Sequence, residues 1–363
     1  MRWDVEQMSS ESPGGGTHRS HFCVGGVSVQ LAGDDEEAVT LVPSLEPFRV
    51  ETDVPDIKIR VDKAERLALA KGRQLFDSGT TWELYEAVDG LQFDFVAALF
   101  GKTPFQRLLI DTHFCNAILL MNEECLVNLP HVVEPMGYPI DELLIMHRLT
   151  QEKAIELHGC GIVRADGTGN LFVGHSGAGK STTTRLWTEL EDVEVLSDDR
   201  IIVRRDEERS GAETPREAAG NSSEHQVLRL RDSSASRSNH FAQDDKERKQ
   251  IPPSSLRSRG RNDSAMRMYG TPWHGEGMYA SPGSAPLARI FILEHGHGNV
   301  LTRLSPSQAV AELFARSFVP FHRHEYVDAA LDFLQELVGV VPCYHYAFEP
   351  TEAAVERIRG FRD

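Results

Sequence analysis

Short stretches in which apolar and polar residues alternate are frequent in the first third of the chain. They lie at residues 23–31, 57–61, 108–110 and 117–121. A period of two is typical of strands that bury one face. The pattern predicts a β-rich lobe over residues 21–150, in which the mixed stretch 82–100 receives no assignment.

The second half of the chain alternates strand-like apolar runs with segments of helical spacing. Strands are expected at residues 154–163, 170–173, 193–197, 201–203, 287–293 and 344–348, and helices at 140–149, 182–190, 305–314, 326–338 and 352–359. The helix at 140–149 is expected to bridge two lobes. Ser305 is a suitable N-cap and Pro306 a suitable first helical residue. This alternation predicts an α/β domain over residues 151–363.

Two segments lack any periodic pattern. Residues 1–20 are polar and glycine-rich, which is typical of a flexible tail. Residues 206–265 are rich in Ser, Arg, Glu and Asp, and their length without periodicity predicts a disordered insertion. The serine-rich run at 233–238 leaves a second interpretation open, that of a partner-docking or phosphorylated loop.

A glycine-rich stretch between an expected strand and an expected helix fits the pattern G-x-x-x-x-G-K-[ST] without a mismatch. Its glycines allow positive φ, and its amides point inward as an anion nest at the start of a helix. Lys180 would reach the β- and γ-phosphates, and the Ser181 hydroxyl would hold Mg²⁺. The sequence thus predicts an ATP site; the alternative is a chance match in a glycine-rich turn. The nucleotide-binding residues are expected to be Gly174, His175, Ser176, Gly177, Ala178, Gly179, Lys180, Ser181 and Thr182.

Two adjacent carboxylates follow the loop. Asp198 and Asp199 lie between two apolar runs, which suggests one carboxylate on a metal and the other as a base for a hydroxyl. The alternative is an acidic turn between two strands. His158, expected at the end of the strand next to the loop, could lie near the γ-phosphate, although a lone histidine in a strand is usually structural.

The composition limits the partners and the compartment. The 363 residues carry a formal net charge of −17, which argues against a general binder of nucleic acid or anionic membranes. Five dispersed cysteines without a C-x-x-C pair fit reduced thiols in a cytoplasm. The first 20 residues lack an apolar signal segment, and no apolar run reaches the roughly 20 residues of a membrane span.

Three further spots carry chemistry-bearing residues. The turn 270–275 contains Trp273 and His274, and it predicts either a tryptophan that plugs the core or a loop that touches nucleotide or substrate. Histidines at 295 and 297, and at 322 and 324, could bind a transition metal. Neither pair has a second pair at zinc-site spacing, which disfavours that role.

Taken together, three motifs resemble the catalytic domain of HPr kinase/phosphorylase and its relatives. They are Leu157-His158-Gly159, the loop from Gly174 to Ser181, and Ser197-Asp198-Asp199-Arg200. The resemblance covers residues 155–204 and is looser from Gly270 onward. It implies a fold of the superfamily that includes ATP-dependent phosphoenolpyruvate carboxykinase, with a P-loop catalytic domain after a smaller β-rich lobe.

The resemblance also implies roles for individual residues. Ser181 and Asp198 would hold Mg²⁺, Lys180 the phosphates, and Asp199, backed by His158, would accept the proton of an attacking hydroxyl. The expected activity is that of an ATP-dependent kinase acting on a serine of a peptide or small protein, and the family often assembles into oligomers. Thr182 stands where the HPr enzymes have Glu, which weakens the expectation of phosphorylase activity.

Two other functions stay open at this point. The chain could be a nucleotide-binding regulatory or scaffold protein without turnover. It could also be an ATP-dependent carboxykinase, although it has no clear equivalent of that enzyme's metal-binding lysine and oxaloacetate-binding arginines.

Overall fold

Two large β-sheets organise the fold of the computed structural model, which describes residues 16–127, 133–190, 192–205 and 266–362. Within these residues there are seventeen strands and six α-helices, so the fold is mixed α/β with few helices. The α/β class expected from the apolar pattern is confirmed at this level. The predictions made for residues 1–15 and 206–265 fall outside the described residues.

Eight strands form the first sheet, in the spatial order β1-β2-β3-β8-β7-β6-β5-β4. Their bounds are β1 His18–Val24, β2 Val27–Gly33, β3 Ile57–Ala64, β4 Gln74–Asp77, β5 Trp82–Ala87, β6 Gly90–Phe95, β7 Gln106–Asp111 and β8 Asn116–Asn122. Strand β1 begins inside the segment expected to be a tail, because the turn at residues 25–26 folds it back antiparallel onto β2. Strands β5 and β6 lie in the stretch that received no assignment.

Nine strands of the described residues form the second sheet. They are β9 Ala154–Arg164, β10 Gly169–Val173, β11 Val193–Ser197, β12 Arg200–Arg205, β13 Met266–Tyr269, β14 Ser284–His295, β15 Val300–Arg303, β16 Ser317–Phe318 and β17 Cys343–Phe348. The pairings β10-β9-β12-β13-β14 close into a circuit, because β14 also pairs with β10. Strands β10, β14 and β17 run parallel, so their C-terminal ends lie side by side. In α/β folds, whether the sheet is closed or open, ligands bind beyond the C-terminal ends of the parallel strands.

Four of the six helices cover both faces of this second sheet in the part of the chain that the structure describes. Their bounds are α1 Glu123–Leu126, α2 Ile140–Leu149, α3 Lys180–Leu190, α4 Pro306–Phe314, α5 His324–Val340 and α6 Glu352–Arg359, and short 3₁₀ turns lie at Glu37–Val39, Glu46–Phe48 and Ala98–Phe100. Helices α4 and α5 bury Leu313 and Leu334 on one face of the sheet. Helices α3 and α6 bury Trp187 and Val355 on the other. The sheet is therefore the middle layer of three.

Helix α2 joins the two sheets, as its expected position between the lobes suggests. Its buried residues Ile140 and Leu144 pack in one core with the first sheet, and Ile202 of β12 and Trp273 belong to the same core. At helix α4 the expected cap is present, since Ser305 N–H donates to Gln308 Oε1 at 3.1 Å and Pro306 follows. Among the helices in the described ranges, none is both long and apolar enough to cross a membrane.

Candidate functional site

The loop from Gly174 to Gly179 connects β10 directly to α3, in the strand–loop–helix order that the motif predicts. Gly177 and Gly179 have φ of 80° and 99°, a conformation that L side chains rarely adopt. A Cβ on Gly179 would also lie 2.4 Å from Phe348 Cζ. The loop shape therefore depends on glycine at both positions. His175, Ser176 and Gly177 form its exposed face.

Lys180 is folded back over this loop and is only 7% exposed. Its Nζ donates to Gly174 O at 3.1 Å and to His175 O at 3.3 Å. Burial lowers the pKa of Lys180, while the negative charge of Asp199 opposes that change.

Ser181 is exposed and Thr182 half-buried in the first turn of α3, where backbone amides favour an anion. A cation poised beside such amides suits a phosphate ligand.

His158 lies beside the loop, on the strand next to β10. Gly174 N–H donates to His158 O at 3.3 Å, and Gly159 N–H donates to Asp199 O at 2.9 Å. The expectation that His158 ends its strand is wrong: β9 runs on to Arg164, because it changes partners there from β12 to β10 and β11. The neighbouring position relative to the loop is confirmed.

The His158 and Asp199 side chains form a hydrogen-bonded pair, with Nε2 and Oδ1 3.0 Å apart. The two side chains are 25% and 27% exposed, so the pair is open to an incoming molecule. The hydrogen bond from His158 lowers the pKa of Asp199 despite burial, and the positive charge of Lys180 contributes in the same direction. Asp199 is thus held as a carboxylate next to an imidazole and within electrostatic reach of the loop lysine.

Asp198 has a different environment from its neighbour. It is 2% exposed, and its two oxygens accept N–H groups from another loop: Gly275 N to Oδ1 at 2.9 Å and Gly277 N to Oδ2 at 2.7 Å. Its position before the turn is supported by Ser197 Oγ, which accepts the N–H of Asp199 at 3.3 Å. One carboxylate is therefore fixed by amides and the other by an imidazole.

The amides that bind Asp198 belong to the loop that begins with the turn 270–275, whose role the sequence left open. Trp273 is 7% exposed and belongs to the core, and its Nε1 donates to Asp141 Oδ2 at 2.8 Å. Thr271 Oγ1 donates to Arg200 O at 2.8 Å. The interpretation of a core-plugging tryptophan is confirmed, and Gly275 two residues later reaches an Asp198 oxygen.

Arg200 connects Asp199 to a buried acidic cluster that motif reasoning missed. It forms an ion pair with Glu142. Its Nε lies 3.4 Å from Asp199 Oδ2, and its guanidinium covers the Phe318 ring at 4.4 Å.

Glu156 is fully buried, with its Oε1 3.6 Å from Arg200 Nη1 and no hydrogen bond to the described residues. Burial raises its pKa well above the ordinary value. Period-two alternation could have found Glu156, since it shares a face of β9 with His158.

Arg316 is a second residue that the sequence did not reveal. It directly precedes β16, and its O accepts the N–H of His158 at 2.8 Å. Its Nη1 donates to Glu312 Oε2 at 2.5 Å. Its positive charge adds to burial in lowering the pKa of Lys180, so both cations act on the same site. No motif surrounds Arg316, and only the pairing of β16 with β9 brings it to His158.

The histidine pairs do not assemble a metal centre in the part of the chain that the structure describes, where no group of three or more His, Cys, Asp or Glu residues could hold one. His295 instead approaches the phosphate-binding loop, with Nε2 3.0 Å from Gly177 O. His322 packs beside the buried His147, with ring centroids 5.2 Å apart. His297 is fully exposed, beside Glu349.

Ser181 and Asp198 were expected to hold Mg²⁺, and their chemistry fits that ion. Both are hard oxygen donors, and the Asp198 carboxylate is held in a fixed orientation by two amides. Mg²⁺ is usually bound by only one or two protein oxygens, with phosphate oxygens and water completing its octahedron. The donor set is therefore adequate without a larger cluster of protein ligands.

Comparison of this chain with models of known protein families and with curated proteins gives no match in either case. The assignment to the HPr kinase-like group therefore stays a prediction that depends on the three motifs and on the geometry around them.

Proposed function

We propose that the protein is an ATP-dependent phosphotransferase of the HPr kinase-like type, which transfers the γ-phosphate to the hydroxyl of a serine in a peptide or small protein. One observation carries the proposal: the His158–Asp199 pair, at 3.0 Å, borders the loop that holds Lys180. A general base, a phosphate-binding loop and a buried lysine form the minimum set for this reaction.

The nucleotide phosphates would lie in the loop and against the start of α3. The amides of residues 175–177 and 179–182 supply donors, and the positive φ of Gly177 and Gly179 shapes the loop around the ligand. Lys180 would exchange its bonds to Gly174 O and His175 O for bonds to phosphate oxygens. Ser181 and Asp198 would hold Mg²⁺, which neutralises charge on the phosphates when it is bound.

The transfer needs few covalent contributions from the protein. Asp199 accepts the proton of the acceptor hydroxyl, whose oxygen forms a bond to the γ-phosphorus. The bond from that phosphorus to the oxygen bridging to the β-phosphate breaks, and ADP leaves. His158 and Arg200 hold the two oxygens of Asp199, at 3.0 and 3.4 Å. Lys180 and Arg316 provide positive charge where negative charge develops.

The exposure of the pair supports an acceptor that arrives from solution. About a quarter of each side chain is accessible. Arg200 lies beside Asp199 and over the Phe318 ring. The two side chains would give a peptide one polar and one apolar contact.

The proposal is tested by incubating the protein with Mg-ATP labelled at the γ-phosphate and with serine-containing peptides, free serine and a cell extract. Label in a hydroxyl-bearing acceptor supports a kinase. ATP binding without any loss of γ-phosphate supports the regulatory alternative. Release of CO₂ from oxaloacetate would instead indicate a carboxykinase.

A further inference from the structure

The His158–Asp199 pair and an aromatic pair, His295 and Phe348, lie on opposite sides of the phosphate-binding loop. Across the second sheet the order is β12, β9, β10, β14 and β17, counting β14 as the neighbour of β10. Asp199 precedes β12 and His158 lies on β9, whereas His295 ends β14 and Phe348 ends β17. The loop after β10 is between them.

The aromatic pair is fixed directly against the loop. His295 stacks on Phe348, with ring centroids 5.4 Å apart and an interplanar angle of 27°. His295 Nε2 donates to Gly177 O at 3.0 Å, and Phe348 fills the space beside Gly179, where a Cβ would lie 2.4 Å from its Cζ. Phe348 is buried on Tyr346, while His295 is exposed. One flat aromatic surface is thus presented to solvent at the edge of the loop.

The direction of a bound nucleoside triphosphate follows from the position of the His158–Asp199 pair. If the terminal phosphate faces His158 and Asp199, the nucleoside leaves the loop on the side of β14 and β17. In α/β folds, ligands are bound beyond the carboxyl ends of neighbouring parallel strands. A base that arrives there meets the exposed side of the His295 ring.

We propose that His295, supported from behind by Phe348, is the residue on which the purine base of the bound nucleotide stacks. The inference rests on the proposed function, because it takes the direction of the triphosphate from the reacting pair. The hydrogen bond to Gly177 O and the stack on Phe348 hold the ring in place, so stacking of a base costs little further ordering.

The test compares two ligands that differ only in the nucleoside: Mg-ATP and Mg-tripolyphosphate. Their affinities are measured by calorimetry for the wild type and for His295→Ala, His295→Phe and the control His297→Ala. Base stacking predicts that His295→Ala weakens ATP on the order of tenfold and leaves tripolyphosphate unchanged. His295→Phe keeps the flat surface and restores ATP affinity, and His297→Ala, whose side chain is fully exposed, changes neither ligand.

Two results overturn the stacking role while leaving the proposed function intact. In one, His295→Ala weakens both ligands equally, so that the residue only supports the loop. In the other, it changes neither ligand. A wild type that binds neither Mg-ATP nor Mg-tripolyphosphate removes the proposed function as well.

Discussion

Trp273 Nε1 donates a hydrogen bond of 2.8 Å to Asp141 Oδ2, deep in the core shared by the two sheets. The bond ties the start of α2 to the loop whose amides hold Asp198. Asp141 also accepts the N–H of Glu142 through Oδ1. Its burial raises the pKa of Asp141 to about 7, although the hydrogen bond from Trp273, the backbone N–H of Asp141 itself and the charge of Arg200 oppose that increase. A carboxyl group that titrates near neutral pH therefore lies in the core, next to the loop that holds Asp198.

Asp141→Asn should flatten the pH dependence of stability. Because the pKa of about 7 in the folded protein exceeds the ordinary value near 4, the neutral carboxyl stabilises the fold below pH 4. This stabilisation is lost as the pH rises through about 7. The wild type should lose about 1.4 kcal/mol per pH unit in this window relative to the variant.

The measurement is the free energy of unfolding in urea at several pH values. The asparagine NH₂ group meets one of two N–H donors, which lowers the stability of the variant by an amount that does not depend on pH, so only the slope is informative. Asp192→Asn, an exposed carboxylate before β11, is the matched control. Parallel curves for wild type and Asp141→Asn would contradict the account.

Gly177→Ala and Gly179→Ala should differ in stability although both residues have positive φ. Each substitution forces alanine into a strained backbone, at about 1–2 kcal/mol. Only at Gly179 does the new Cβ also meet Phe348, which adds about 1–3 kcal/mol of overpacking. Urea unfolding measures the difference. In a Phe348→Ala background the extra cost of Gly179→Ala should disappear, and an unchanged cost in that background would show that the two residues do not interact.

Asp198→Asn should reduce the effect of Mg²⁺ on the affinity for ATP. The amide NH₂ would face the N–H of Gly275 or Gly277, so the variant loses about 1–3 kcal/mol of stability. Removal of the charge should also weaken Mg-ATP while metal-free ATP binds as before. Titrations with and without Mg²⁺ check this, and a variant that keeps the full effect of Mg²⁺ on ATP affinity argues against a metal role for Asp198.

Much of the phosphate-binding loop and the position of the two adjacent carboxylates could be predicted because their signals are local. The pairing of Asp199 with His158, 41 residues away along the chain, is implied only by the family resemblance. A strand, a glycine-rich turn and a helix follow one another from Gly169 to Leu190, and the next strand ends at the paired carboxylates. Helix α2 and helix α6 match the predicted residues throughout, 140–149 and 352–359. In each case, the pattern of nearby residues is enough to predict the element.

Other features depend on contacts between distant residues. Strand β6 lacks clean alternation because the buried Asp94 is neutralised by Arg107 of β7, with Oδ1 and Nε 2.6 Å apart. Arg316 reaches His158 only through the pairing of β16 with β9. Glu142 reaches Arg200 from α2. No spacing of residues in the sequence predicts these contacts.

Asp199, hydrogen-bonded to His158, is proposed to accept the proton of a hydroxyl that attacks the terminal phosphate of a nucleotide held at Lys180. Asp199→Asn keeps the size of the side chain and removes its charge. It should reduce transfer by several orders of magnitude, since a base and its positioning are lost together, while Mg-ATP affinity changes little. Asp192→Asn should behave as the wild type.

The most direct measurement is therefore the rate at which labelled γ-phosphate from Mg-ATP appears on an acceptor, compared between wild type and Asp199→Asn at ATP concentrations that saturate both. The account predicts transfer by the wild type and essentially none by the variant. Equal rates of transfer in the two proteins would contradict it.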